Sequence, residues 1–146
     1  MIAQTIQLAL APVFVLVAMG NILNILSTRL GRIVDRSRFL QTRHEVTTGK
    51  DHDLVVLEIR LVDRRIALIA RAMRQLVICG LAIGVTVAVL FLEELVGFHL
   101  QRLAAGFFLA AIALLMWALV LFLQETQIAA ASLRIPQDYL ELHRDL

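Results

Sequence analysis

The residues of this chain whose types could do chemistry are its histidines, the acids beside two of them, and two asparagines inside an apolar run. The histidines are His44, His52, His99 and His143. His44 and Glu45 precede His52, which is flanked by Asp51 and Asp53. Imidazole and carboxylate gather around divalent metals, but no regular ligand spacing links these five residues. An exposed polar turn is the simpler expectation, so neither a metal nor a cofactor is expected. Asn21 and Asn24 lie in a stretch that carries no charge before Arg29. An amide facing hydrocarbon is costly, so both should face protein or water.

Steps of seven residues through this stretch give Gln7, Phe14, Asn21, Thr28 and Asp35, and a neighbouring series gives Leu10, Val17, Asn24, Gly31 and Arg38. The combined stripe is polar at one end, apolar in the middle and amide-lined towards the charges. Two chemistries fit it. The amides could bond neighbouring helices or symmetry mates, which is the simpler reading. Alternatively, rings of Asn21, Asn24 and Thr28 beside a Phe14 and Val17 constriction could line a conduction path that gates by dewetting. Pro12 and Gly20 permit a kink or a close approach in the same element. Catalytic patterns are missing: there is no Gly-rich phosphate loop, no carboxylate pair inside an apolar run and no nucleophile with a base and an orienting group. No enzyme is expected.

The elements that must position these residues follow from composition. Of 146 residues, 60% are hydrophobic and 18% charged, against ~45–50% and ~25% in soluble domains. A soluble chain this short cannot hide so much apolar surface. Three stretches instead have the ~20-residue length of membrane spans: about 6–26, 76–92 and 103–123. Cys79 is the single cysteine, so no internal disulfide exists. Residues 1–28 contain no Lys or Arg, which argues against a cleaved signal peptide and for an uncleaved anchor.

Between spans one and two lies a segment of about 49 residues (27–75) that carries most of the charge. From Arg29 to Arg74 there are eleven Lys or Arg against six Asp or Glu. The positive-inside rule places this segment in the cytoplasm, the N-terminus outside and the C-terminus inside. Two amphipathic helical stripes run through it: Leu30, Ile33, Val34 and Leu40, then Leu54, Leu57, Leu61, Leu68 and Ala72. Thr47-Thr48-Gly49-Lys50-Asp51 between them has turn chemistry. The segment therefore reads as an antiparallel helical hairpin ~30 Å long that continues the first two spans. Arg32-Ile33-Val34-Asp35-Arg36 is echoed by Arg60-Leu61-Val62-Asp63-Arg64. Asp35 with Arg60 or Arg64, and Asp63 with Arg32 or Arg36, could pair across the hairpin. Arg29, Arg32, Arg36, Arg71 and Arg74 are candidates for anionic lipid headgroups, at ~1 kcal/mol each. Without interleaved aromatics these cations do not suggest nucleic acid.

Span two carries Gly80, Gly84 and Ala88 at four-residue spacing, and span three carries Gly106 and Ala110. Such small faces let another helix approach closely. Trp117 lies within span three, where core or lipid contact is expected. Glu93 and Glu94 end span two as a polar stop, or as an acidic rim if span one lines a pore. Residues 124–146 form a cytoplasmic tail: 124–133 can extend the third helix, and the acidic piece after Pro136 could pack on the basic arm.

The strings from Ile6 through Ala11-Pro12-Val13-Phe14, Asn24-Ile25-Leu26 and Arg29-Leu30-Gly31-Arg32-Ile33-Val34-Asp35-Arg36, with the later Arg64-Arg65-Ile66, resemble a family of small bacterial membrane proteins, domain of unknown function 2721. The resemblance covers most of the chain and implies a bacterial cytoplasmic membrane protein. It carries over no binding or catalytic residue. The residues together predict an all-α membrane protein of one domain with three transmembrane helices, forming a homo-oligomer. The expected function is channel-like, with span one lining an ion-conducting axis. The alternative is a non-conducting scaffold or regulatory subunit whose basic arm binds a cytoplasmic partner or anionic lipid.

Overall fold

A computed structural model describes residues 2–97 and 99–132 of the chain. They form three helices and, among the described residues, no strand: α1 Ile2–Val46, α2 Lys50–Val96 and α3 Gln101–Ser132. Spans one and two are each fused to the arm segment that adjoins them, in α1 and α2. α1 runs unbroken for 45 residues past Pro12 and Gly31, about 68 Å at 1.5 Å per residue. All three helices are long and apolar enough to cross a membrane. No more than 22% of any apolar window is buried within the chain, so most of that surface is left for lipid or another subunit. Of the tail expected at 124–146, residues 124–132 continue α3, and 133–146 lie outside the described residues.

Two short connections set the antiparallel order, and each uses glycine where the backbone turns left-handed. At the first, the Thr47 amide and hydroxyl both donate to Arg43 O, at 3.1 and 2.8 Å. Gly49, at φ 67°, then starts α2. At the second, Gly97 at φ 74° caps α2 and donates to Glu93 O at 2.9 Å. Both satisfy carbonyls that a helix end would otherwise leave without partners.

α2 is the central element. It packs against both α1 and α3, whereas α1 and α3 scarcely touch. The α1–α2 pair is pinned by Thr5 Oγ1 donating to Glu94 Oε2 at 3.2 Å near one end and by Arg36 with Glu58 along the arm. The α2–α3 pair is pinned by Cys79 Sγ donating to Ala111 O at 3.1 Å. The buried residues recur every seven positions on each helix: Pro12, Met19, Leu26, Ile33 and Leu40 on α1; Val55, Val62, Ile69, Leu76 and Ile83 on α2; Ala104, Ala111, Ala118 and Glu125 on α3. A sustained seven-residue period is the pattern of coiled-coil packing. Alanine in that seam of α3 permits the close approach that brings Ala111 O within reach of Cys79.

This seam corrects the phase expected for the arm. Ile33, Leu40, Leu68 and Ala72 are buried, but Leu54, Leu57 and Leu61 point outward, Leu54 being 65% exposed. The second arm helix is apolar on two faces. The hairpin buries the β-branched face, Val55 and Val62, whose side chains are stiff at χ1 and lose little freedom on packing.

Candidate functional site

Glu125 is the only fully buried carboxylate among the described residues, at 0% exposure. It sits on the alanine seam of α3, one heptad beyond Ala118 and two residues past the end of the apolar run. Leaving water costs a carboxylate several kcal/mol unless cations accompany it, and here two do. Arg65 of α2 places Nε and Nη2 each 2.9 Å from Oε1. Arg29 of α1 places Nη2 2.7 Å from Oε2. The Arg29 contact lacks the alignment of a hydrogen bond, so Oε2 is neutralised by charge without an aligned donor. The Arg29 guanidinium also lies 5.3 Å from the Phe122 ring centroid, a cation–π contact to α3. One carboxylate thus ties all three helices together, and through Arg29 it bridges the two that otherwise barely meet. The triad holds two cations and one anion, a net +1 at the base of the arm.

The amide face is placed very differently. Gln7, Phe14, Val17, Asn21, Asn24 and Thr28 are all exposed, on the side of α1 turned away from its buried seam. Phe14 is 69% and Val17 61% exposed. The Thr28 hydroxyl donates to Asn24 O at 3.0 Å, so it is satisfied within its own helix. The side-chain amides of Asn21 and Asn24 have no partner among the described residues. The structure therefore gathers these six positions on one face, uncovered among the described residues.

The cations divide into engaged and free. Arg29 is engaged by Glu125, and Arg36 by Glu58, Nε to Oε1 at 2.8 Å. Arg32, Arg71 and Arg74 are exposed without an ion pair among the described residues. The cross-pairs expected for Asp35, Arg60, Asp63 and Arg64 are not brought together. All four are exposed, and Glu58 takes the place of an aspartate as the partner of Arg36. The echoed pentapeptides put their charges on the outer faces because Ile33 and Val62 take the seam positions. Of the small residues, Gly80 is used within the chain: a Cβ there would lie 2.7 Å from the Met19 methyl. Gly84 and Gly106 have nothing within 4 Å of such a Cβ, and Ala88 and Ala110 are exposed.

At the tip, the rings of His44 and His52 lie 4.4 Å apart at 50°, and Nδ1 of His52 is buried without a hydrogen-bond partner. No group of three or more potential ligands converges among the described residues.

Glu125 and Arg65 were not recognisable as partners from local spacing, since they are 60 residues apart. One signal existed. Glu125 falls in seven-residue phase with Ala104, Ala111 and Ala118, so an acid occupies the small-residue face that a neighbouring helix must cover.

Three apolar helices in a coiled-coil-like seam, joined by one buried ion triad, define a multi-pass membrane protein of the helical type. A family model described as "Protein of unknown function (DUF2721)" matches residues 9–135, and the chain belongs to that family. No curated protein and no solved structure matches it.

Proposed function

We propose that the protein is a homo-oligomer in the bacterial cytoplasmic membrane, with the amide face of α1 on the shared axis and channel-like conduction along it. The observation that carries this reading is the exposure of Asn21 and Asn24 on a face that no other described residue covers. In lipid that arrangement is unfavourable, and a symmetric assembly removes it by turning the amides towards one another or towards water. Phe14 and Val17 form the apolar constriction, and Gln7 and Thr28 flank the path. The arm is a cytoplasmic stalk, and Arg32, Arg71 and Arg74 at its base meet anionic headgroups. No catalytic role is assigned. Liposome flux with purified protein tests this reading. Wild type conducts, Asn24→Leu lowers flux about tenfold or more, and Phe14→Ala raises the resting leak. A monomer in mild detergent overturns the axial arrangement.

A second reading is favoured by Leu54, Leu57 and Leu61, which face outward on the arm beyond the apolar spans. Exposed leucines at helical spacing suit a docking face, and the protein is then a scaffold or regulatory subunit with a cytoplasmic partner. An intact oligomer that passes no ion separates the two.

A further inference from the structure

The gap between α1 and α3 is bridged at the arm end by Arg29 and left open at the other. There, Leu8 and Pro12 of α1, Leu90 of α2 and Phe108 of α3 wall a cavity of about 480 Å³. That volume lies within the ~300–1,000 Å³ of small-molecule sites. Ala104 and Ala105 make the room, because α3 has no large side chain there to fill it. Thr86 is also in the wall, but its hydroxyl donates to Ala82 O at 2.9 Å and is satisfied. The interior therefore presents carbon. Water avoids such a space, and in a membrane a hydrocarbon chain is the available filler.

The open end of this chamber changes character. Gln4 and Gln101 border it and also border an adjoining cavity of about 160 Å³, whose edge is formed by Glu93 and Glu94. Neither acid has an ion pair among the described residues. Among the described residues Glu94 accepts the Thr5 hydroxyl alone, at 3.2 Å. Both lie in the last turn of α2, where the helix dipole is negative and a second carboxylate is adjacent. Two like charges at the wrong end of a helix, beside two amides, favour a cation with several donors. A primary ammonium has three N–H donors, and a quaternary ammonium has none.

We propose that this cleft binds a glycerophospholipid with a primary-ammonium headgroup, one acyl chain in the carbon-walled chamber and the ammonium at Glu93 and Glu94. The site is independent of whether α1 conducts. It is tested on the full chain in mild detergent, after delipidation, by native mass spectrometry with added dioleoyl phosphatidylethanolamine, phosphatidylcholine or phosphatidylglycerol. The ethanolamine lipid should be retained about tenfold better than the other two, as expected for charge-assisted hydrogen bonds. E93Q/E94Q should remove that preference while retention of all three continues, and Ala105→Trp should abolish retention. No retained lipid in wild type, as when a second copy of the chain fills the cleft, overturns the proposal. So does an ethanolamine preference that survives E93Q/E94Q. Because the wild-type competition is decisive alone, misfolding of a variant does not rescue the idea.

Discussion

Glu125 on α3 meets Arg29 of α1 and Arg65 of α2, so its charge is shared among three helices. A buried carboxylate with two guanidinium partners is held by charge, and removing one partner of such a group is destabilising by about 3–5 kcal/mol. The two arginines are not equivalent. Arg65 supplies two contacts to Oε1, including an aligned hydrogen bond, and is 20% exposed; Arg29 supplies one unaligned contact and is 30% exposed. Arg65→Leu is therefore expected to lower the thermal unfolding midpoint in detergent more than Arg29→Leu. Combining Arg29→Leu, Arg65→Leu and Glu125→Leu should recover much of the loss, because an all-apolar replacement leaves no charge behind. If the triple variant is less stable than Arg65→Leu alone, the triad contributes more than mutual neutralisation. Gly80 offers a second check. Ala there displaces only the flexible Met19 methyl, whereas Gly80→Leu must push α1 from α2 and should cost about 1–3 kcal/mol.

At the scale of the helices, the seven-residue seam decides which apolar residues matter. Leu40 and Ile69 are almost completely enclosed, and truncating either to Ala should cost about 2–5 kcal/mol. Leu54→Ala and Leu57→Ala, on the outward face, should change the monomer's stability by no more than about 0.5 kcal/mol. Thermal unfolding of the four variants side by side tests the phase of the arm, and a large effect at Leu57 would place it in an interface with another copy. The three spans, the turn at 47–49 and the helical arm were legible in the sequence, because length, hydropathy and glycine placement act locally. The phase of the arm was not. Leu54, Leu57 and Leu61 are as apolar as Val55 and Val62, so hydropathy does not choose between the two faces, and only the identity of the facing helix selects one. On α1 the seven-residue step shows in the sequence in its polar register. Gln7, Phe14, Asn21 and Thr28 lie opposite the buried Pro12, Met19 and Leu26. The triad was illegible for the same reason: Arg29, Arg65 and Glu125 meet only once three helices are packed.

For the whole molecule, one question governs the rest: which side of the membrane holds the arm. Its eleven Lys or Arg against six acids outweigh the few charges at the opposite end, where Glu93, Glu94 and Arg102 stand alone. Cations within reach of the span ends are retained on the cytoplasmic side. The ion triad strengthens the case physically. It sits at the base of the arm with a net +1, and Arg71 and Arg74 lie exposed about 9 and 14 Å further along α2 towards its apolar half, so translocating the arm would carry unpaired guanidinium groups through hydrocarbon. The arm is accordingly expected inside, with the 97–100 connection and the ammonium-lipid cleft at the outer face. Cysteine labelling reads this directly. In a Cys79→Ala background, Thr48→Cys at the tip should react with a membrane-impermeant maleimide only after the cells are permeabilised, and His99→Cys should react in intact cells. The reverse pattern would invert the topology. It would also move the proposed lipid site to the inner leaflet while leaving its chemistry unchanged, since Glu93 and Glu94 stay at the end opposite the arm in either orientation.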